Sequence, residues 1–408
     1  ERRISISGAL SPDPKDHLNI ALKKINLLYI LESVGVGFNM LDTDLTGSGT
    51  ASIQGGKVVA SAAVTTPAFH VKGVNVGALK ADLAFDSGDG RILLEGDVTQ
   101  SEGGHSHVQG YIRPSGGAGI DLTFTAERLR TDFVGKFMDT LFDHVRGQAT
   151  GRVRLFGLFE DGVTIEGDAD IQEGNIGVRL LGTSDSFSHR LSLTPTSIIF
   201  SDITMHDDEG HTGRLNGVIR HRFFDLFDLD LTASELQRMK VLQTATKQSL
   251  PIYGTAYGTG TALLKGKLPK LLLDVNMRSA AGTDVVLDFN KTDIRKDERF
   301  FTYRPLRPLS SRDSLALADS LSRSTPEAET ELTMRMALQV TPDARLSLRL
   351  GNSQSLQNDI VTRCDGDLTI EVPHSGAPTV YGGLTLREGQ YTFNFEQFIQ
   401  SGRDSVYG

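Results

Sequence analysis

The chain has no tryptophan, and aromatic residues make up only 7% of it, so it holds little of the bulk that fills a thick closed core. Its one cysteine, Cys364, excludes an intramolecular disulfide. Such poverty fits a secreted or periplasmic protein and a cytosolic one alike. The apolar stretches run only a few residues, far short of the ~20 that span a bilayer. A basic excess is missing too: 42 Lys and Arg stand against 51 Asp and Glu, a net charge of −9. That balance excludes a phosphate-backbone binder and disfavours docking on a strongly anionic membrane surface. No signal-peptide pattern precedes Glu1, so the sequence reads as a processed or excised piece whose membrane anchor lies outside it.

What is present is alternation. Leu79, Ala81, Leu83 and Phe85 alternate with Lys80, Asp82 and Ala84. Val163, Ile165, Ala169 and Ile171 do so with Thr164, Glu166, Asp168 and Asp170. The same holds for Phe227 to Ala233 and for Leu332 to Val340. A period of two places apolar side chains on one face of a strand and polar ones on the other. Glycine-rich turns such as Gly55-Gly56, Ser87-Gly88-Asp89-Gly90 and Asp208-Glu209-Gly210 punctuate the strands, and a meandering antiparallel sheet is expected. Thr131 to Val145 alone carries helical spacing, in Phe133, Val134, Phe137, Met138, Leu141, Phe142 and Val145. It reads as a short helix that covers a sheet edge or plugs a trough.

Three anchors recur in order. Gly8, Gly110 and Gly217 each centre a strand and are 102 and 107 residues apart. Alternating strands follow at Leu18–Leu22, Asp121–Ala126 and Asp228–Ala233. Glycine-bracketed strands then open at Gly49, Gly151 and Gly260, 102 and 109 residues apart. An ordered repeat of this kind gives an array in which each copy packs mainly on its neighbours. The expected organisation is an all-β, elongated, repeat-built groove: repeats over 1–107, 108–214 and 215–290, a charged Ser/Pro-rich linker over 291–331, and a β-rich ending over 332–408.

These features resemble the C-terminal half of the TamB family, which groups with AsmA-like bridge proteins of Gram-negative envelopes. The residues that carry the resemblance are the strand–glycine anchors, Tyr253-Gly254-Thr255-Ala256-Tyr257-Gly258-Thr259-Gly260, and the ending around Gly366-Asp367-Leu368 and Tyr381 to Phe393. The resemblance implies a sheet folded lengthwise into an apolar trough, anchored at the inner membrane and crossing the periplasm. It further implies an Omp85-type barrel (TamA or an equivalent) as partner and a role in moving phospholipid and assembling outer-membrane proteins. Family members carry further strands after the position of Phe393-Asn394-Phe395, so the barrel-contacting strands are expected to lie beyond this sequence.

The residues expected to face acyl chains are Leu18, Ile20, Leu22, Leu83, Phe85, Leu122, Phe124, Val163, Ile165, Leu229, Leu231, Val275, Met277, Met336, Leu338, Leu368 and Ile370. On periodicity alone they could equally fill a closed β-sandwich. Neither catalysis, a cofactor nor a metal is expected. His105, His107, His206 and His211 fall in Gly/Ser/Asp-rich segments that read as turns, short of the convergent ligands zinc needs. Acid pairs such as Asp207-Asp208 and Glu327/Glu329 read as scattered in turns and on outward positions. Cys364 reads as a turn residue with no histidine beside it. Three functions remain in play: a lipid-conducting bridge, a scaffold that offers sheet edges to nascent outer-membrane strands, and a structural stalk. The long, irregular repeat disfavours the stalk.

Overall fold

In the computed structural model the described residues are 3–13, 15–33, 41–139, 141–222, 225–245, 252–288, 330–349, 359–375 and 378–392. The chain divides into two units, Glu1–Leu242 and Gln243–Gly408.

The first unit is an antiparallel meander. Its strands are β1 (Arg3–Gly8), β2 (Leu18–Asn26), β3 (Asp44–Gln54), β4 (Lys57–Val71), β5 (Val74–Asp86), β6 (Arg91–Thr99) and β7 (His105–Arg113). They continue as β8 (Gly119–Arg130), β9 (Phe142–Leu158), β10 (Thr164–Val178), β11 (Thr183–Thr194), β12 (Ser197–His206), β13 (Thr212–Arg222) and β14 (Asp225–Thr244), whose last two residues pass into the second unit. Each strand from β1 to β13 pairs antiparallel with the next, ending at β14. The anchor glycines Gly8, Gly110 and Gly217 fall in β1, β7 and β13, so the ~105-residue period corresponds to six strands. A short helix, α1 (Leu27–Ser33), follows β2, and a 3₁₀ turn over Asp132–Phe137 follows β8 at the matching place.

The glycines recur for a steric reason. Gly110 has φ +149° and Gly217 φ +140°, backbone that a side chain rarely adopts. A Cβ on Gly110 would stand 2.0 Å from the Asp121 carbonyl oxygen, and one on Gly217 2.1 Å from that of Asp230.

Bulges crease the sheet along its length. Register shifts interrupt β2 between Leu22 and Ile25, β4 between Thr66 and Phe69, β8 between Ala126 and Leu129, β10 between Ile171 and Gly174, and β12 between Phe200 and Ile203. A bulge inserts an extra residue, bends the strand and orphans a backbone donor. In four of these strands a charged residue, Lys24, Arg128, Glu173 or Asp202, takes the left-handed conformation. The neighbouring strand satisfies the orphaned N–H groups. Lys24 and Arg128 donate to Thr46 Oγ1 and Thr150 Oγ1 at 3.2 and 3.0 Å. Glu173 and Asp202 donate to Ser188 Oγ and Asn216 Oδ1 at 3.2 and 2.7 Å. These exposed charges mark the outer ridge of the fold line.

Two expectations need correction here. The helix expected over Thr131 to Val145 is only the 3₁₀ turn over Asp132–Phe137, since β9 already begins at Phe142. Val145 pairs with Ile176 and Phe142 with Val178, so sheet hydrogen bonds outcompete the helical spacing there. Conversely, the helical turn α1 forms from Leu27–Ser33, where no helix is expected from the sequence.

The second unit comprises β15 (Ile252–Lys267), β16 (Lys270–Ser279), β17 (Asp284–Asp288), β18 (Glu331–Val340), β19 (Arg345–Arg349), β20 (Asp359–Val372) and β21 (Thr379–Thr392). β16 and β17 pair side by side along β15, and β18 and β19 along β20. The two broken strands join each other in parallel, β16 to β18 and β17 to β19, where an antiparallel meander was expected. Parallel neighbours cannot be joined by a tight turn and need a crossover of about a dozen residues or more. The expected 291–331 linker falls outside the described residues except for Thr330 and Glu331, and Glu331 opens β18.

Candidate functional site: an apolar groove

Following the register from strand to strand gives a continuous apolar row across the first unit. Ile4, Leu22, Gly47, Val64, Ala81, Gly96, Val108 and Phe124 lie opposite one another from β1 to β8. Val153, Gly167, Leu193, Ile198, Ile219 and Leu229 continue it to β14. A parallel row holds Ile6, Ile20, Gly49, Ala62, Leu83, Leu94, Gly110, Leu122, Leu155 and Ile165. Leu18 and Phe85 share a third row through Ala51 and Ala60. Leu231, two residues after Leu229, keeps the same face opposite Gly217. At about 4.8 Å per strand the apolar face runs roughly 60 Å.

Glycine and alanine take many places in these rows, which leaves the face hollow rather than filled. Leu18, Ile20, Leu22, Leu83, Phe85, Phe124, Ile165 and Leu231 are half-buried, while Leu122 is buried. Val64, Ala81 and Val108 are buried at 4–5% exposure, and toward β12–β14 the face closes further: Ile203, Ile219 and Leu229 are at most 2% exposed. Val163 is the exception among the expected residues of this unit. It precedes β10, which starts at Thr164.

The opposite face is polar. Arg154 donates to both oxygens of Asp121 at 2.8 Å and to Glu166 at 2.9 Å. These bonds hold its guanidinium protonated far above the usual range. His105 and His107 both reach Asp97 Oδ1 at 3.0 Å. They stand on β7 rather than in a turn, because the strand extends back through them to pair His105 with Glu127. Among the described residues no group of three or more His, Cys, Asp or Glu is placed to hold a metal ion.

In the second unit the expected residues also share a face. Val275, Met336 and Ile370 form one row, and Met277, Leu338 and Leu368 the next. Here, however, Val275, Met277, Met336, Leu368 and Ile370 are 1–9% exposed, and only Leu338 is half-buried. This portion is a packed core, not an open face. Cys364 belongs to it: it sits within β20, wholly buried, and burial raises its thiol pKa. The turn expected there is strand because Cys364 pairs with Leu386.

Sequence reasoning missed the acids at the end of the groove. Asp207, expected as an outward turn residue, is 5% exposed, because its carboxylate is drawn in by backbone donors. It accepts the N–H groups of Glu209, His211 and Lys240 at 2.8–2.9 Å and meets His211 Nδ1 at 2.9 Å. Those bonds hold it below the usual carboxylate range despite its burial. Asp185 is affected the other way: burial, then the nearby charges of Asp207 and Asp208, push its pKa up to about 7.

Residues 201–403 match the family model described as TamB C-terminal domain. By that domain, the chain belongs to the TamB family. Membership makes it a Gram-negative envelope protein with a TamB-type role there. No curated protein and no solved structure matches the chain. The TamB match begins in β12 and covers the closed end of the groove and every strand of the second unit from β15 to β21, so the rows of β1–β11 lie outside it. Among the described residues, no helix is long and apolar enough to cross a membrane.

Proposed function

We propose that the groove of the first unit holds phospholipid acyl chains and conducts them across the periplasm between the inner and outer membranes. The observation that carries this reading is the apolar row followed across fourteen strands, in which glycine or alanine takes four places and Leu22, Phe124, Val153, Leu193 and Ile198 stay half-buried. Each acyl CH₂ kept from water is worth about 0.8 kcal/mol, so a two-chain lipid crossing water bare meets a barrier on the order of 20 kcal/mol. A continuous apolar wall removes most of that barrier while the headgroup stays wet at the mouth. Alternation, length and an unfilled interior suffice, and the reading assigns the chain no bond chemistry. The inner membrane would be reached through a membrane anchor and the outer membrane through an Omp85-type barrel.

A second reading, a scaffold for outer-membrane protein assembly, draws on a different feature. Among the described strands β21 pairs only with β20, and its Tyr381 and Leu386 are 59% exposed. An open edge of this kind suits strand addition. Leu231→Asp separates the two readings, because it puts a desolvated charge on the groove face and leaves the β21 edge untouched. Transfer of a fluorescent phospholipid between donor and acceptor vesicles should be lost in Leu231→Asp and kept in Thr232→Asp on the other face. Equal transfer by both variants counts against conduction.

A further inference from the structure

One acid stands on the groove face where the register calls for an apolar side chain. Asp185 of β11 lies opposite Ile176 of β10, which in turn lies opposite Val145 of β9. Phe187 keeps the same face two residues on, with its ring over Gly174. Asp185 Oδ1 is shut off from water and has no hydrogen-bond partner. Extending the Ser186–His206 pairing by one position sets Asp185 beside Asp207. Asp207 has three backbone donors and a histidine ring nitrogen holding its charge. Two adjacent carboxylates with donors for only one of them do not both ionise near neutrality.

We infer that Asp185 is a protonation-controlled gate in the groove: uncharged, it leaves unbroken the apolar patch of Val145, Ile176 and Phe187 past the β10 bulge, and ionised, it puts an unpaired charge in the path of acyl chains held on that part of the face. This rests on the lipid-groove reading above. The groups around it are His206 at the end of β12, then Asp207, Asp208, Glu209 and His211 of the β12–β13 turn. Lys240 of β14 adds a cation, but its Nζ is engaged by Asp208 at 2.8 Å and Glu209 at 2.9 Å. Beyond the end of β10, Arg179 is paired with Asp143 at 3.0 Å. The cations near Asp185 thus have acids of their own, and the carboxylates of the turn raise the cost of a second charge. With a pKa of about 7, the protonated fraction falls about tenfold between pH 6 and pH 8.

The test uses the full chain with vesicles of phosphatidylethanolamine and phosphatidylglycerol containing a trace of phospholipid with a diazirine in its acyl chain. Photo-adduct yield is measured at pH 6 and pH 8 for the wild type, for Asp185→Asn and for Asp185→Ser, with circular dichroism checking each fold. The wild type should lose adducts by about tenfold at pH 8, and the two uncharged variants should give equal yields at both pH values. Equal wild-type yields at both pH values, or a variant that keeps the wild-type loss, overturn the gate alone. No adduct from any protein at either pH overturns the lipid reading and the gate with it.

Discussion

Gly110→Ala tests whether the repeat glycines are steric requirements of the creased sheet. At φ +149° an alanine adopts a sparsely populated conformation, which costs of order 1–3 kcal/mol. Its Cβ would also fall 2.0 Å from the carbonyl oxygen of Asp121, so β7 and β8 would have to part. Losing one ladder hydrogen bond there adds about 1 kcal/mol, for a total of roughly 2–4 kcal/mol. Gly55→Ala is the control: its φ is +57° and nothing lies within 4 Å of the added Cβ, so only the left-handed penalty of about 1–2 kcal/mol applies. Native-state hydrogen exchange suits an array whose parts open separately. Gly110→Ala should speed exchange across Leu93–Tyr111 and Asp121–Phe124 more than Gly55→Ala does at its own turn. If the two substitutions cost the same, the close approach at Gly110 does not govern the fold.

Four further outcomes follow from the geometry. Thr150→Val removes the acceptor of the Arg128 N–H at the β8 bulge, which should cost about 1 kcal/mol in urea unfolding; a neutral result would mean that water replaces the hydroxyl. Ile370→Ala, at 1% exposure in the second unit, should cost about 2–5 kcal/mol, whereas Ile165→Ala on the half-buried groove should cost under about 1 kcal/mol, so comparable melting-temperature losses would contradict an open groove. The pKa of Asp185 is raised to about 7 in the folded chain, so the stability linked to it is full below the unfolded carboxylate pKa and lost as pH rises through about 7; Asp185→Asn should flatten that loss, by at most about 4 kcal/mol. Asp207 is shifted downward, so its stabilisation holds above the unfolded pKa and fades as pH falls below it, and Asp207→Asn should weaken the chain at pH 7 while converging with the wild type in acid.

Strand positions and their inward faces were legible in the sequence, because Leu83, Leu122, Leu229 and Met336 alternate with polar neighbours and period two has one structural meaning. The six-strand period was legible through Gly8, Gly110 and Gly217, whose backbone only glycine tolerates well. Other features left no local trace. The bulges at Lys24, Arg128 and Glu173 use charged residues in place of glycine or asparagine, so nothing in the sequence marks them as left-handed. The helical spacing that runs on to Val145 is broken from Phe142 by a strand, since pairing with Val178 and Ile176 is a tertiary event. Exposure is decided in three dimensions too: Ile165 and Ile370 look alike in sequence, yet one lines an open face and the other a packed core. Nothing in the local run Ser184-Asp185-Ser186 marks the place that the register gives Asp185 opposite Ile176.

The most direct test of the groove is site-specific photocrosslinking in cells from Phe124 and Leu231, with their outward neighbours Thr123 and Thr232 as controls. Phe124 lies in the apolar row and Thr123 opposite Arg154 on the polar face, so one residue separates the two environments. Phospholipid adducts at Phe124 and Leu231 but not at Thr123 or Thr232 are the predicted result. Protein adducts alone, or lipid captured equally from both faces, would contradict it.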